Sequence, residues 1–155
     1  MVIGVIVTGI ILYLRTPRED LYAIYQPIPF TGVEELIVDR LEVVGESFYI
    51  GHIALVVGAA GRDLRAQLYW EPRNPHDPHG LAVRVDLVGG DIVRPCGHIA
   101  ADIAPAIQPI VKANANKGLV TVATATVFGG TADKPNYGVI LGSGVARAKR
   151  KPEFR

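Results

Sequence analysis

Most of the side chains in this chain that could do chemistry lie in one stretch, Glu71-Pro72-Arg73-Asn74-Pro75-His76-Asp77-Pro78-His79-Gly80. His76 and His79 stand three apart with Asp77 between them, and Cys96 and His98 follow, so a metal site is the first chemistry to weigh. Zinc needs three or four such donors converging on one point. No Cys-x-x-Cys accompanies these residues, and solvated loop histidines are the simpler reading. Cys96 near His98 suggests a thiol nucleophile, but on a strand residues two apart share a face without being bonded, and a free cysteine is usually just buried. Gly58 to Gly61 is not followed by the Lys-Ser/Thr of a phosphate cradle and reads as a turn, and serine occurs only at positions 47 and 143. The residues carry no enzyme signature, no catalytic or metal-ligating set and no sign of a cofactor.

Binding chemistry is better represented. Phe48 and Tyr49 are adjacent aromatics near Gly45 and Gly51, and Asn74, His76 and Asp77 place donors and an acceptor on a proline-braced loop. Aromatic faces accept stacked bases at ~1 to 3 kcal/mol each, and a carboxylate accepts a hydrogen bond from a sugar hydroxyl. The structural alternative stands beside this. On a strand Phe48 and Tyr49 would point to opposite faces, making one of them core, and Asp77 and Asn74 are also ordinary turn formers.

Three prolines in ten residues exclude a helix or a central strand over 71–80. Alternating runs flank the loop, Arg62 to Trp70 before it and Leu81 to Leu87 after it, so two strands should carry it. Leu36 to Val44 reads as an earlier strand, and His52 to Val57 as a short helical turn or strand. Gly89-Gly90 predicts a tight hairpin into Ile92 to Ile99, where Pro95 calls for an edge position or a bulge. Ala100 to Ala113 takes helical spacing through Ile103, Ala106, Ile107, Ile110 and Val111, with Pro105 and Pro109 shortening or kinking it. Leu119 to Phe128 and Tyr137 to Leu141 are the last strands. Many short strands without repeated β-α alternation predict a mainly β fold, a small antiparallel barrel with one or two short helices.

The 155 residues suffice for one core, and 49% apolar with 20% charged residues excludes a disordered chain. The net charge of +1 is unevenly spread: residues 31–142 hold nine Lys or Arg against twelve Asp or Glu, whereas the tail 143–155 holds five basic residues against Glu153. Broad attraction to a polyanion therefore belongs to the tail. The single cysteine, Cys96, rules out an internal disulfide and suits a reducing compartment. Residues 1–14 are apolar and uncharged, and as a helix would span ~21 Å against a hydrocarbon core of ~30 Å. They read as a short membrane anchor or as a buried segment. With Arg15 and Arg18 behind it, an anchor would hold the domain on the cytoplasmic, inner face of the cell membrane. Residues 15–30, with Pro17, Pro27 and Pro29, read as a linker.

Taken together, Val43-Val44-Gly45-Glu46-Ser47-Phe48-Tyr49, Glu71-Pro72-Arg73-Asn74-Pro75-His76-Asp77-Pro78, Cys96-Gly97-His98-Ile99, Phe128-Gly129-Gly130 and Asn136-Tyr137-Gly138-Val139 resemble a HIRAN domain, over about Leu36 to Leu141. The resemblance implies an OB-like barrel, found alone in bacteria or fused to helicase and nuclease domains, which makes such proteins candidate partners and DNA repair a candidate setting. In helicase-like eukaryotic relatives the domain captures the 3′ end of single-stranded DNA. Carried over, the resemblance implies that Phe48 and His76 flank the terminal base and that Tyr49 and Asn74 make polar or phosphate contacts. Asp77 would receive the 3′-hydroxyl, and His98 and Phe128 would line the site. Ser47 and Ala101 stand where those relatives carry arginine and lysine, so two charged contacts are missing, and each lost phosphate contact weakens binding. The leading expectation is a non-enzymatic module for single-stranded DNA 3′ ends; the alternative is a membrane-tethered scaffold for a protein or peptide.

Overall fold

The computed structural model describes the backbone of residues 3–7 and 10–14 and all of residues 22–143. Residues 15–21 and the basic tail from Gly144 onward lie outside the described residues. β1 (Ile3–Val7) and β2 (Ile10–Leu14) pair antiparallel, from Ile3 opposite Leu14 to Val7 opposite Ile10. Residues 3–7 and 10–14 thus form a hairpin and not one helix. Among the described residues no helix is long and apolar enough to cross a membrane.

The domain then runs β3 (Gly32–Glu35), β4 (Leu41–Val44), a 3-10 turn (Glu46–Phe48), α1 (Ile50–Ala60), β5 (Asp63–Trp70), β6 (Val83–Gly89), β7 (Ile92–Ile99), α2 (Ala104–Asn116), β8 (Leu119–Phe128) and β9 (Gly138–Leu141). Six strands close antiparallel in the order β8-β5-β6-β7-β4-β9 and back to β8, while β3 adds to β8 in parallel. The fold is a small OB-like barrel with one extra strand and two helices. Alternation builds its interior: Leu64, Ala66 and Leu68 of β5, Val83, Val85 and Leu87 of β6, Ala123, Ala125 and Val127 of β8, and Val139 and Leu141 of β9 all enter one apolar core. Truncating such a residue, as in Leu68→Ala, costs ~2 to 5 kcal/mol through lost burial and the cavity left behind.

Of the strand expected over Leu36 to Val44 only Leu41–Val44 forms, as β4; residues 36–40 are irregular, and β3 (Gly32–Glu35) lies before the expected run. The apolar run after Tyr49 is a helix because Ile53, Val56, Val57 and Ala60 recur at helical spacing; Ile53 and Val56 are fully buried. Phe48 and Tyr49 consequently lie in a 3-10 turn and at the helix entry, not on opposite faces of a strand. In α2 Pro105 sits in the first turn, where its missing N–H is no loss, and Pro109 lies inside a helix that continues to Asn116. The β6–β7 turn falls at Gly90-Asp91, one residue later than expected.

Pro95 lies beside a bulge, in the part of β7 that pairs with β6 alone; β4 joins β7 only at His98 and Ile99. Asp86 faces Pro95 and Val85 faces Gly97, leaving Cys96 as the extra residue on β7. The bulge shifts the alternation, so Cys96 and Ile99, three apart, both enter the interior, while His98 turns outward between Arg84 of β6 and Val44 of β4. Gly97 (φ 154°) permits this close passage: a Cβ there would lie 2.4 Å from the Val44 carbonyl oxygen.

Residues 22–30, expected as a linker, form a strap packed on the barrel. Phe30 is buried with Tyr69, Ala115, Val120 and Val122 in a second core, against which Ile24 and Tyr25 pack. The Tyr25 N–H donates to the Trp70 carbonyl (2.8 Å), its hydroxyl to Asn116 Oδ1 (2.7 Å), and its ring lies 4.8 Å from that of Trp70.

Candidate functional site

The loop 71–80 is three consecutive turns that share their corner residues. Asn74 N–H donates to the Glu71 carbonyl (3.2 Å), Asp77 N–H to that of Asn74 (3.1 Å) and Gly80 N–H to that of Asp77 (3.2 Å). Pro72, Pro75 and Pro78 each occupy the second position of a turn, where a φ near −65° is already required. The corner side chains finish the work. Asn74 Oδ1 accepts from His76 N–H (2.9 Å), and the Asp77 carboxylate accepts from His79 N–H (3.1 Å) and from Leu81 N–H. Gly80 (φ 65°) closes the series, and its carbonyl accepts from the Trp70 indole (2.7 Å). Glu71 and Asn74 turn inward, whereas Arg73, Pro75, His76 and His79 are exposed.

Beneath the loop, the outer face of the barrel carries charge that is sealed from water. Glu71 is 0%, Asp86 2% and Arg84 4% exposed at their side chains. Arg84 donates through Nε to Asp86 Oδ1 (3.0 Å), through Nη2 to Asp86 Oδ2 (3.4 Å) and through Nη1 to Glu71 Oε2 (3.5 Å). Its guanidinium also lies over Tyr69, 5.6 Å from the ring centre, and the Tyr69 hydroxyl donates to Gln67 Oε1 (2.5 Å). The other Glu71 oxygen meets His98 Nε2 at 2.6 Å and accepts from Asn74 Nδ2 at 3.4 Å. The first contact places the imidazole hydrogen on Nε2, since the carboxylate can only accept. Burying ions is costly unless their hydrogen bonds are filled, and here each charged group has at least two named partners or shares one with its neighbour. Tyr49, buried at the entry of α1, has its hydroxyl held above the ordinary value of 10.0, first by burial, then by the negative charge of Glu71. Asp86 and Tyr22 push the same way and Arg84 opposes them.

The structure thus brings Asn74 and His98 together on Glu71, with Tyr49 within reach of its charge. Phe48 stands on the 3-10 turn 86% exposed, the most exposed large apolar residue among those described. That turn is tied to β9 by the Val139 N–H, which donates to Glu46 Oε1 (3.4 Å), beside the Phe128 and Gly138 pair, so half-buried Phe128 borders the same turn. His76 is exposed, and Tyr22 of the strap meets its ring edge-on at 6.2 Å between centres, 71° between planes. Asp77 serves first as a turn closer, with both oxygens accepting backbone N–H groups. The thiol reading of Cys96 and His98 is overturned: they do not share a face, Cys96 being in the interior with its thiol directed at the Val85 carbonyl (3.4 Å). Among the described residues no group of three or more His, Cys, Asp or Glu is arranged to hold a metal.

Sequence reasoning missed Glu71, Arg84, Asp86 and Tyr22. Arg84 and Asp86 alternate with Val83, Val85 and Leu87, which reads as an ordinary solvent face until the loop is folded over it. Glu71 did leave a signal, because Glu-Pro-x, Asn-Pro-x and Asp-Pro-x repeat with period three and so mark the corners of a turn series. Comparison of the chain with protein-family models, with curated proteins and with solved structures finds no match.

Proposed function

We propose that this domain is a non-catalytic binding module for single-stranded DNA, with the strand's 3′ end received beside the proline turns. The observation that carries the proposal is Phe48. A large aromatic ring 86% exposed on a rigid turn gains nothing for the fold, whereas a base stacked on it gains ~1 to 3 kcal/mol. His76 offers a second exposed ring, His98 and Phe128 border the same region, and Tyr49, Asn74 and Asp77 supply polar groups behind the rings. The HIRAN-like order of these residues supports the same reading, as does the barrel architecture, which elsewhere serves oligonucleotide binding. The charge of the body, −3 over residues 31–142, sets the conditions: binding should be seen at low salt and fade as salt screens the few basic groups.

Fluorescence anisotropy with labelled oligonucleotides tests this. A free 3′-hydroxyl strand should bind more tightly than its 3′-phosphorylated counterpart, and Phe48→Ala should weaken binding by about 5- to 150-fold, the equivalent of ~1 to 3 kcal/mol. Phe48→Ala should leave the urea midpoint unchanged, since so exposed a ring contributes little to the core. No binding at low salt would end the DNA reading; equal affinity for the two strand ends would end the 3′-end part of it.

A further inference from the structure

We infer that Tyr22, delivered by the strap that precedes the barrel, is a positioning residue of the binding site that fixes the ring of His76. The inference rests on the DNA-binding reading above and adds to it a wall that the barrel does not supply. His76 sits between turn corners, exposed, and the staircase hydrogen bonds hold its backbone but not its ring. Tyr22 does engage that ring, at 6.2 Å and 71°, the edge-to-face arrangement that aromatic quadrupoles favour.

The strap is built to hold Tyr22 there. Thr31 N–H donates to the Gly118 carbonyl (2.7 Å), Phe30 packs 6.0 Å from Tyr69, and Tyr25 is bound to Trp70 and Asn116 as described. Pro27 and Pro29 stiffen the span between those attachments. Trp70 is shared, since its carbonyl and ring hold the strap while its indole N–H holds Gly80 at the end of the loop. Strap and loop are therefore placed by one residue, and the Tyr22 and His76 rings meet as a consequence. A ring held in one orientation loses less freedom when a base stacks on it.

Two readouts test the inference. In proton NMR of the free protein, Tyr22→Ala should shift the His76 ring signals, assigned through His76→Gln, while Tyr22→Phe should leave them close to wild type. In anisotropy with a 3′-hydroxyl oligonucleotide, Tyr22→Ala should weaken binding roughly threefold to tenfold, the range an edge-to-face pair can supply, and Tyr22→Phe should restore it. Unchanged His76 signals in Tyr22→Ala would overturn the inference whether or not DNA binds. Shifted signals with unchanged affinity in a wild type that binds would also overturn it, leaving the DNA reading intact. A wild type that binds no DNA would end the reading it rests on and, with it, the role of Tyr22 in a binding site.

Discussion

Arg84 is the residue whose loss should cost this domain most for its size. Its guanidinium contacts two carboxylates whose side chains are 0% and 2% exposed, and its own side chain is 4% exposed. Arg84→Met keeps a long apolar stem but removes three charge-assisted hydrogen bonds from two buried carboxylates. Removing one partner of a buried pair costs ~3 to 5 kcal/mol, against ~5 to 15 kcal/mol for the total stability of a domain. Asp86 loses both of its Arg84 contacts, while His98 still holds Glu71 at 2.6 Å. Urea melts should show the midpoint displaced with the slope unchanged, and the thermal midpoint should fall by about 6 to 20 °C, taking ~2 to 4 °C per kcal/mol for a chain of this size. Arg84→Met combined with Glu71→Gln and Asp86→Asn, which removes the stranded charges, should recover much of the loss. A single-variant loss under ~1 kcal/mol would refute the reasoning, because it would mean that the carboxylates are not deprived of water as described. A triple variant no better than the single would refute it too, by placing the cost in packing and not in charge.

The raised Tyr49 hydroxyl gives a pH signature. The native state keeps the proton where the unfolded chain begins to lose it near 10.0, so this contribution to stability is complete below that pH and declines as pH rises through the raised value. Urea midpoints of Tyr49→Phe should therefore fall less steeply above pH 10.0 than those of wild type, and parallel curves would contradict the assignment. At the bulge, Gly97→Ala sets a methyl 2.4 Å from the Val44 carbonyl oxygen and forces β7 from β4; a destabilisation beyond ~2 kcal/mol is expected, together with faster amide exchange at Val44 and Ile99. Wild-type exchange rates at those amides would show that the two strands do not pass as closely as described.

The barrel was legible because most of its strands carry the plain signal of alternation. Leu64, Ala66, Leu68 and Val83, Val85, Leu87 face inward in the order the sequence suggests. Three parts resisted for separate reasons. Leu36 to Val44 has the composition of one strand, yet only 41–44 finds partners, in β7 and β9, while the residues that pair with β8 are Gly32–Glu35 before it, so long-range pairing and not local propensity sets the strand bounds. The run from Ile50 to Ala60 contains Val and Ile in either period, and only burial of Ile53 and Val56 on one face decides for helix. Residues 22–30 have a linker's prolines, but Ile24, Tyr25 and Phe30 reach a second core that exists only after α2 and β8 are packed. Of the expected site, Asn74 and His98 meet on Glu71, while Arg84 and Asp86 were invisible because alternation tells which face a residue takes and not what covers that face.

The turn series also decides how the site must work. Its corner residues, Glu71, Asn74 and Asp77, spend their side chains on the protein itself: Asn74 and Asp77 close the turns that follow them, and Glu71 holds Arg84 and His98. The positions between corners are the exposed ones, and His76 is among them. On the proposed binding reading, a ligand arriving at the loop would meet the exposed His76 ring and then polar groups whose hydrogen bonds are already partly filled. An ionised carboxylate such as Asp77 has lone pairs beyond the two it gives to His79 and Leu81, so it can still accept a hydroxyl, but it cannot move to do so without opening the loop. Preorganisation of this kind lowers the ordering cost of binding and leaves little room to adapt. Replacing Asn74 or Asp77 should therefore open the turn series whatever it does to binding, whereas Phe48, 86% exposed, is the position at which the proposed binding can be tested apart from stability.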